Sequence, residues 1–212
     1  MINLIYPNTC GMCEKISKEN ICKKCEIKIK QYEINLFKKY KKDSGIFFEE
    51  SIHMYRYDGI IRQKIIEYKF QDKAYLYKTF SKIIIKNEKI CDNLKKYDII
   101  IPVPIHKKRK QFRGYNQTEL ISKAIAKHTG LKLEKNILVK QKNIVSQSEL
   151  SKIQRKENIK NAFIIKKAEK VNNKKILIFD DIYTTGSTVN ECSKMLKQAG
   201  AEIVGVVTFA KD

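Results

Sequence analysis

The densest run of chemistry-bearing side chains is Asp180, Asp181, Ile182, Tyr183, Thr184, Thr185, Gly186, Ser187 and Thr188. It follows a continuous apolar stretch, Ile176, Leu177, Ile178 and Phe179, and precedes a helical pattern over 187–199. Hydroxyls and a glycine at a strand-to-helix turn make an anion cradle. Gly186 lets the backbone curl, the N–H groups that follow point inward, and the helix adds its positive end. A phosphate monoester fits such a loop. Two adjacent carboxylates would repel that phosphate unless they face something else, and ribose hydroxyls or a hydrated magnesium ion are the natural partners. An acidic strand end and a helix capped by Ser187 or Thr188 would explain each feature singly. Their concentration in one short segment favours the cradle.

A second segment runs from Ile101 through Pro102, Val103, Pro104, Ile105, His106, Lys107, Lys108 and Arg109 to Arg113 and Gly114. Two prolines stiffen the exit of another apolar run, and cations follow in a stretch that reads as a charged loop. The chain has 44 Lys and Arg. Only five of them are arginine, so two arginines in this segment suggest bidentate recognition of a second phosphate group. A solvated basic loop is the plainer alternative, and His106 reads equally as a surface residue.

The third constellation is Cys10-x2-Cys13 and Cys22-x2-Cys25. Each Cys-x2-Cys turn aims two thiolates at one centre, and two such knuckles complete a tetrahedral sulfur shell for structural zinc, with no coordination position left for catalysis. A pair of disulfides is the alternative for an oxidising compartment.

These residues need elements to position them. Apolar patterning predicts strands at 51–57, 97–101, 136–140, 162–165, 175–179 and 203–209, and helices at 59–70, 74–87, 117–128, 152–160 and 187–199. The alternation predicts an α/β fold with a mostly parallel sheet flanked by helices, whose ligands bind at the carboxyl ends of the strands. A helix is expected to leave the knuckle between Cys25 and Tyr40, and a boundary at 41–45 would separate a zinc module, 1–44, from a domain at 45–212. Too small to bury a core alone, the module should dock on that domain. Tyr55 and Tyr57 suit either core packing or stacking on a base.

The 212 residues carry a formal charge of +21 with 42% hydrophobic content, which excludes a disordered polycation. The excess divides as +8 over 1–100, +11 over 101–160 and +2 over 161–212. Half of it therefore surrounds the second segment, although a lysine-rich solvated surface would also produce it. Apolar runs fall short of the roughly 18 residues that cross a bilayer, so no membrane insertion is expected. Met1 to Pro7 lacks a basic n-region and a cleavage site, which makes the cytoplasm the expected location.

The segment from Phe179 to Thr188 resembles the phosphoribosyl diphosphate (PRPP) signature of type I phosphoribosyltransferases. That resemblance implies a type I phosphoribosyltransferase-like fold. It gives Asp180 and Asp181 contacts to the ribose hydroxyls, Thr184, Thr185, Gly186, Ser187 and Thr188 to the 5′-phosphate, and the segment of Pro102, Val103, Pro104, His106, Arg109 and Arg113 to pyrophosphate. Magnesium would enter with PRPP. The whole arrangement, behind four cysteines, is similar to the ComF family of competence proteins. Further matches are Tyr57, Gly59, Lys69 and Phe70, then Gln147, Leu150, Arg155, Asn158, Ala162 and Phe163; Lys140 departs from an arginine common in the family. The resemblance implies either phosphoribosyl transfer with pyrophosphate release, a PRPP sensor without turnover, or an accessory protein whose partner is single-stranded DNA or the competence machinery. Sequence leaves these alternatives, and the oligomeric state, open. Charge reversal at Arg109 and Arg113 is expected to cost more anion affinity, in a titration at fixed salt, than reversal of two cations within 161–175; equal losses would mean that net charge alone matters.

Overall fold

The computed structural model describes residues 8–41, 43–141 and 159–212. Gln147, Leu150, Arg155 and Asn158, and all but the last two residues of the helix expected over 152–160, lie outside them.

Eight strands and seven α-helices are described. The strands are β1 (Glu33–Lys39), β2 (Glu50–Arg56), β3 (Ile99–Pro102), β4 (Lys132–Leu133), β5 (Leu138–Lys140), β6 (Phe163–Ile165), β7 (Lys175–Tyr183) and β8 (Ile203–Lys211). The helices are α1 (Lys23–Ile29), α2 (Gly59–Phe70), α3 (Leu76–Lys86), α4 (Glu88–Leu94), α5 (Lys107–Arg113), α6 (Gln117–Thr129) and α7 (Ser187–Gln198). Six strands form one sheet in the order β1-β2-β8-β7-β3-β4, parallel except for β1 against β2.

β7 shows why the sheet is buried on both sides. Leu177 and Phe179 join a core with Ile65 and Tyr68 of α2, Phe80 of α3 and Ile125 of α6. Ile176 and Ile178 join a second core with Val189 and Leu196 of α7 and with Leu138 and Phe163. Strand alternation divides one apolar run between two layers. The first core also contains Cys10, Met12, Ile21 and Cys25, so the cysteine segment packs on the helical face, as its small size requires. Glu14 there meets Lys64 at 3.0 Å and Lys73 at 2.6 Å, and both lysines also bond Glu67.

Several expectations are corrected. The helix leaving the knuckle ends at Ile29, a 3-10 turn spans Lys30–Tyr32, and the chain then enters β1. The ladder to β2 satisfies its backbone groups, and this pairing overrides the roughly helical spacing of Ile34, Leu36 and Phe37. Asn35, at φ 39°, accompanies a register shift between Glu33 and Leu36, a conformation asparagine tolerates. The basic stretch after β3 folds as α5 instead of a loop, capped by His106 and ended by Gly114 at φ 80°. Strands β5 and β6, expected among the parallel set, pair antiparallel with each other apart from the main sheet. α4 and the two-residue β4 were not anticipated. β7 runs past Phe179 to Tyr183, carrying both carboxylates within the strand. Tyr55 belongs to the core, its ring centroid 5.1 Å from that of Phe209.

Fully buried His53 on β2 contacts Ser51 Oγ at 2.9 Å and Thr208 Oγ1 at 2.8 Å. Burial first, then the charges of Lys211 and Lys38, bring its pKa down to about 4, against 6.5 for a free imidazole. Between these values only the unfolded chain takes the proton, so stability falls as pH drops through that window, by up to ~3 kcal/mol. Urea unfolding across this range should show that loss in the wild type. His53→Asn, whatever its absolute stability, should flatten this part of the curve; an unchanged slope would exclude His53 as the cause.

Candidate functional site

β3 and β7 end at the same edge. Pro102 pairs with Phe179, and the Val103 N–H donates to the Phe179 carbonyl at 2.9 Å, so the chain leaving β3 starts beside Asp180. That exit is fixed from below. The Val103 carbonyl accepts from Asn116 Nδ2 at 3.2 Å and from Thr118 Oγ1 at 2.7 Å. Asn116 also caps α6, accepting the Thr118 N–H. α5 then carries the predicted cations. Arg113 is buried, donates to Gln117 Oε1, and lies 5.3 Å from the Phe70 ring. Arg109 is half-buried. His106 Nδ1 accepts the Lys108 N–H at 3.3 Å, so one imidazole nitrogen is engaged in starting the helix.

The two carboxylates leave β7 on opposite faces. Asp181 is buried on the side of α2, where Lys69 Nζ donates to its Oδ1 at 2.9 Å. Its Oδ2 is buried without a hydrogen-bond partner among the described residues. Arg113 lies on this side, where the Asp181 charge favours its protonated form against burial. Asp180 is partly exposed and its Oδ1 accepts the Asp181 N–H at 2.9 Å. Burial first, then the Asp181 charge, push the Asp180 pKa up to about 8, with Lys69 opposing. Lys140 of β5 stands on the Asp180 side. Burial and the charge of Arg109 lower its pKa, and Cys192 and Asp180 act in the other direction.

The phosphate-loop candidates follow directly. Thr184 is exposed, and Thr185, Gly186, Ser187 and Thr188 are partly so. The cap position of α7 is Gly186, at φ 74°, instead of Ser187 or Thr188, and it supplies no side-chain acceptor to the first turn. A Cβ at Gly186 would meet the Tyr183 ring, and the positive φ is what calls for glycine there. The Thr185 and Ser187 hydroxyls stand 2.9 Å apart. A cleft of about 700 Å³ borders this loop, with Phe47, Tyr183 and Asn190 among its walls.

The strand edge thus collects Asp180, Asp181, the segment after Pro102 and the Gly186 turn, while the cysteines form a separate centre. Their four sulfurs lie within 4.8 Å of one another, and those of Cys13 and Cys22 are 4.0 Å apart. Zinc–sulfur arms of ~2.3 Å imply tetrahedral edges of ~3.8 Å, so the donor set fits zinc. Burial opposes ionisation of Cys10, yet N–H donors from Cys22, Cys13 and Met12 bring its pKa down to about 7.

Lys69 and Lys140 were quoted from the sequence without a chemical role. Nothing in the spacing links Lys69 to an aspartate 112 positions later, and only the Lys69-Phe70 match pointed to it.

The profile of the phosphoribosyl transferase domain matches residues 119–212. Competence protein ComFC of Streptococcus pneumoniae is 30% identical over 203 residues, covering 93% of this chain and 83% of that protein. The chain belongs to the ComF family. Competence protein F of Haemophilus influenzae is 32% identical over 151 residues, 69% of this chain and 66% of its own. DNA utilization protein YhgH of Escherichia coli K12 is 33% identical over 109 residues, 51% of this chain. That match spans 47% of YhgH, so the chain covers about half to two thirds of these two ComF-like relatives. The fold is a mostly parallel sheet between helices whose C-terminal part, residues 119–212, matches the phosphoribosyl transferase domain, with the four-cysteine cluster near the N-terminus.

In this ComF-family chain, elemental analysis of purified protein is expected to find one zinc ion per chain, bound by the four thiolates. Removing it with a strong chelator should lower the thermal midpoint by several degrees, because Cys10 and Cys25 are part of the core. Metal-free protein with an unchanged midpoint would overturn the structural role.

Proposed function

We propose that the carboxyl edge of the sheet binds magnesium-PRPP and transfers its phosphoribosyl group with release of pyrophosphate. The observation that carries this reading is the Gly186 turn at the start of α7, one strand end away from two carboxylates and flanked by the Pro102–Arg113 segment. Thr184, Thr185, Gly186, Ser187 and Thr188 would hold the 5′-phosphate through backbone donors and hydroxyls. Asp180 would accept from a ribose hydroxyl, and the unpartnered Asp181 Oδ2 is an acceptor that a second hydroxyl would satisfy after a small shift. Arg109 and Arg113 would meet the pyrophosphate, with Pro102, Val103 and Pro104 setting the path of the backbone and His106 at the start of the helix. Magnesium, arriving with PRPP, supplies positive charge to the departing pyrophosphate. In transfer the bond from C1 to the pyrophosphate oxygen breaks, its electron pair leaves with pyrophosphate, and an acceptor nitrogen attacks C1 and then loses its proton. The chain's own part is to hold both anionic ends and keep C1 between them.

The names of the relatives, competence and DNA utilization, extend the proposal to cells that take up or consume DNA. There a PRPP site would serve nucleotide metabolism, or would report PRPP to a DNA-handling partner without turnover. Calorimetry tests the PRPP site that both readings share. The wild type should bind magnesium-PRPP, and Gly186→Ala, strained at positive φ and crowded by Tyr183, should weaken binding at least about tenfold. Asp181→Asn should also weaken it. Equal affinity in both variants, or no binding by the wild type, would overturn the assignment. A pyrophosphate-release assay over purine bases, pyrimidine bases and amines then decides between transfer and sensing.

A further inference from the structure

Lys69 touches the candidate site but has no part in the proposed transfer. It sits in the last turn of α2 with its side chain 18% exposed, and its Nζ donates to Asp181 Oδ1 at 2.9 Å. The helix end that carries it is fastened. Tyr68 donates its hydroxyl to the Gln117 carbonyl at 2.9 Å, the Tyr115 hydroxyl donates to the Tyr68 carbonyl, and the two tyrosine rings stack with centroids 5.5 Å apart. Arg113, the other cation on this side, donates to Gln117 Oε1 and lies beside the Phe70 ring. The Asp181 carboxylate thus has its bonded cation on one oxygen. An arginine in place of Lys69 could fork across both oxygens, whereas an ammonium takes one and leaves Oδ2, buried and unpartnered among the described residues, as a fixed acceptor.

We infer that Lys69 is a positioning residue that makes this site select ribose phosphates over deoxyribose phosphates, by presenting Asp181 Oδ2 to one sugar hydroxyl. The inference rests on the reading of the strand edge as a site for a ribose 5-phosphate group. Because the oxygen is buried before any ligand arrives, a hydroxyl that reaches it gains a charge-assisted bond, and a sugar lacking that hydroxyl gains nothing there. Removing the ammonium leaves a desolvated carboxylate without its bonded cation. Such a group turns toward other donors or takes up a proton, and either change withdraws the preset acceptor. Lys69 therefore acts on the sugar through Asp181.

The test is the affinity of the full-length protein for ribose 5-phosphate, 2-deoxyribose 5-phosphate and 3-deoxyribose 5-phosphate, measured by ligand-observed NMR titration at one pH and salt concentration. The wild type is expected to prefer ribose 5-phosphate over one of the deoxy sugars roughly tenfold to a hundredfold through the Asp181 bond. Asp181→Asn identifies that sugar, since it should bring the corresponding ratio to within about twofold. Lys69→Met should lower the same ratio at least about fivefold, and combining it with Asp181→Asn should lower the ratio no further than Asp181→Asn alone. Lys69→Gln, which keeps a polar donor and is gentler on the fold, should lower that ratio by a smaller factor. The ratio is the readout because loss of a positive charge weakens every anion and a loosened fold weakens both sugars, and neither moves the preference. An unchanged preference in Lys69→Met and Lys69→Gln would overturn the inference, as would a fall confined to the other deoxy sugar or additive losses in the double variant. A wild type that binds neither ribose 5-phosphate nor magnesium-PRPP would sink the phosphoribosyl reading and this inference with it, whereas binding with a preference indifferent to Lys69 would sink this inference alone.

Discussion

Burial on both faces of β7 is the constraint on which the site rests. From Ile176 to Phe179 each side chain is committed to one of two cores, so the strand cannot rotate or slip by one residue without exchanging them. The alternation continues into Asp180 and Asp181. One carboxylate is delivered to the helical layer, where Lys69 neutralises it, and the other to the layer of α7 and β5, where it keeps solvent contact. Adjacent acids in sequence therefore have different jobs in space. Asp181 is tied into the structure, and Asp180 is the one whose charge state burial and its neighbour have made adjustable.

α2 links this edge to the cysteine centre. Its Lys64 and Glu67 join Lys73 and Glu14 in a shared ionic cluster, and one turn later Lys69 reaches Asp181. Such pairs add little over well-packed apolar groups, but removing one member leaves the other desolvated, at a cost of about 3–5 kcal/mol for a fully buried pair. The C-terminal half of the helix is thus tied to the cysteine segment through Lys64 and Glu67 and to β7 through Lys69. The cysteine segment supplies part of the core beneath it, so that the four-cysteine cluster, remote from the strand edge, still bears on the position of Lys69.

The parts of this arrangement that sequence disclosed are those written in local spacing. Paired Cys-x2-Cys knuckles, apolar runs ending in Asp180 or Pro102, and a glycine before a helical pattern each carry their geometry within a few residues. What stayed hidden depends on distant chain. β1 forms because β2 offers an edge, and a stretch with Ile34, Leu36 and Phe37 among lysines has no local reason to choose strand over helix. α5 was concealed by its charge, since its apolar content is almost limited to a ring that faces solvent. Lys69 and Lys140 come to the site from α2 and β5, elements whose relation to β7 is set by the two cores and by no motif.

The two edges of the sheet close the account. On one side β1 is irregular near Asn35 and bears Lys38 and Lys39; on the other β4 has two residues. Neither margin offers the long, flat row of backbone donors and acceptors that templates another strand. A protein with this much β-structure would otherwise be liable to stack with itself during synthesis, when many copies are partly folded. Here that hazard is suppressed at both margins of the sheet that the described residues form.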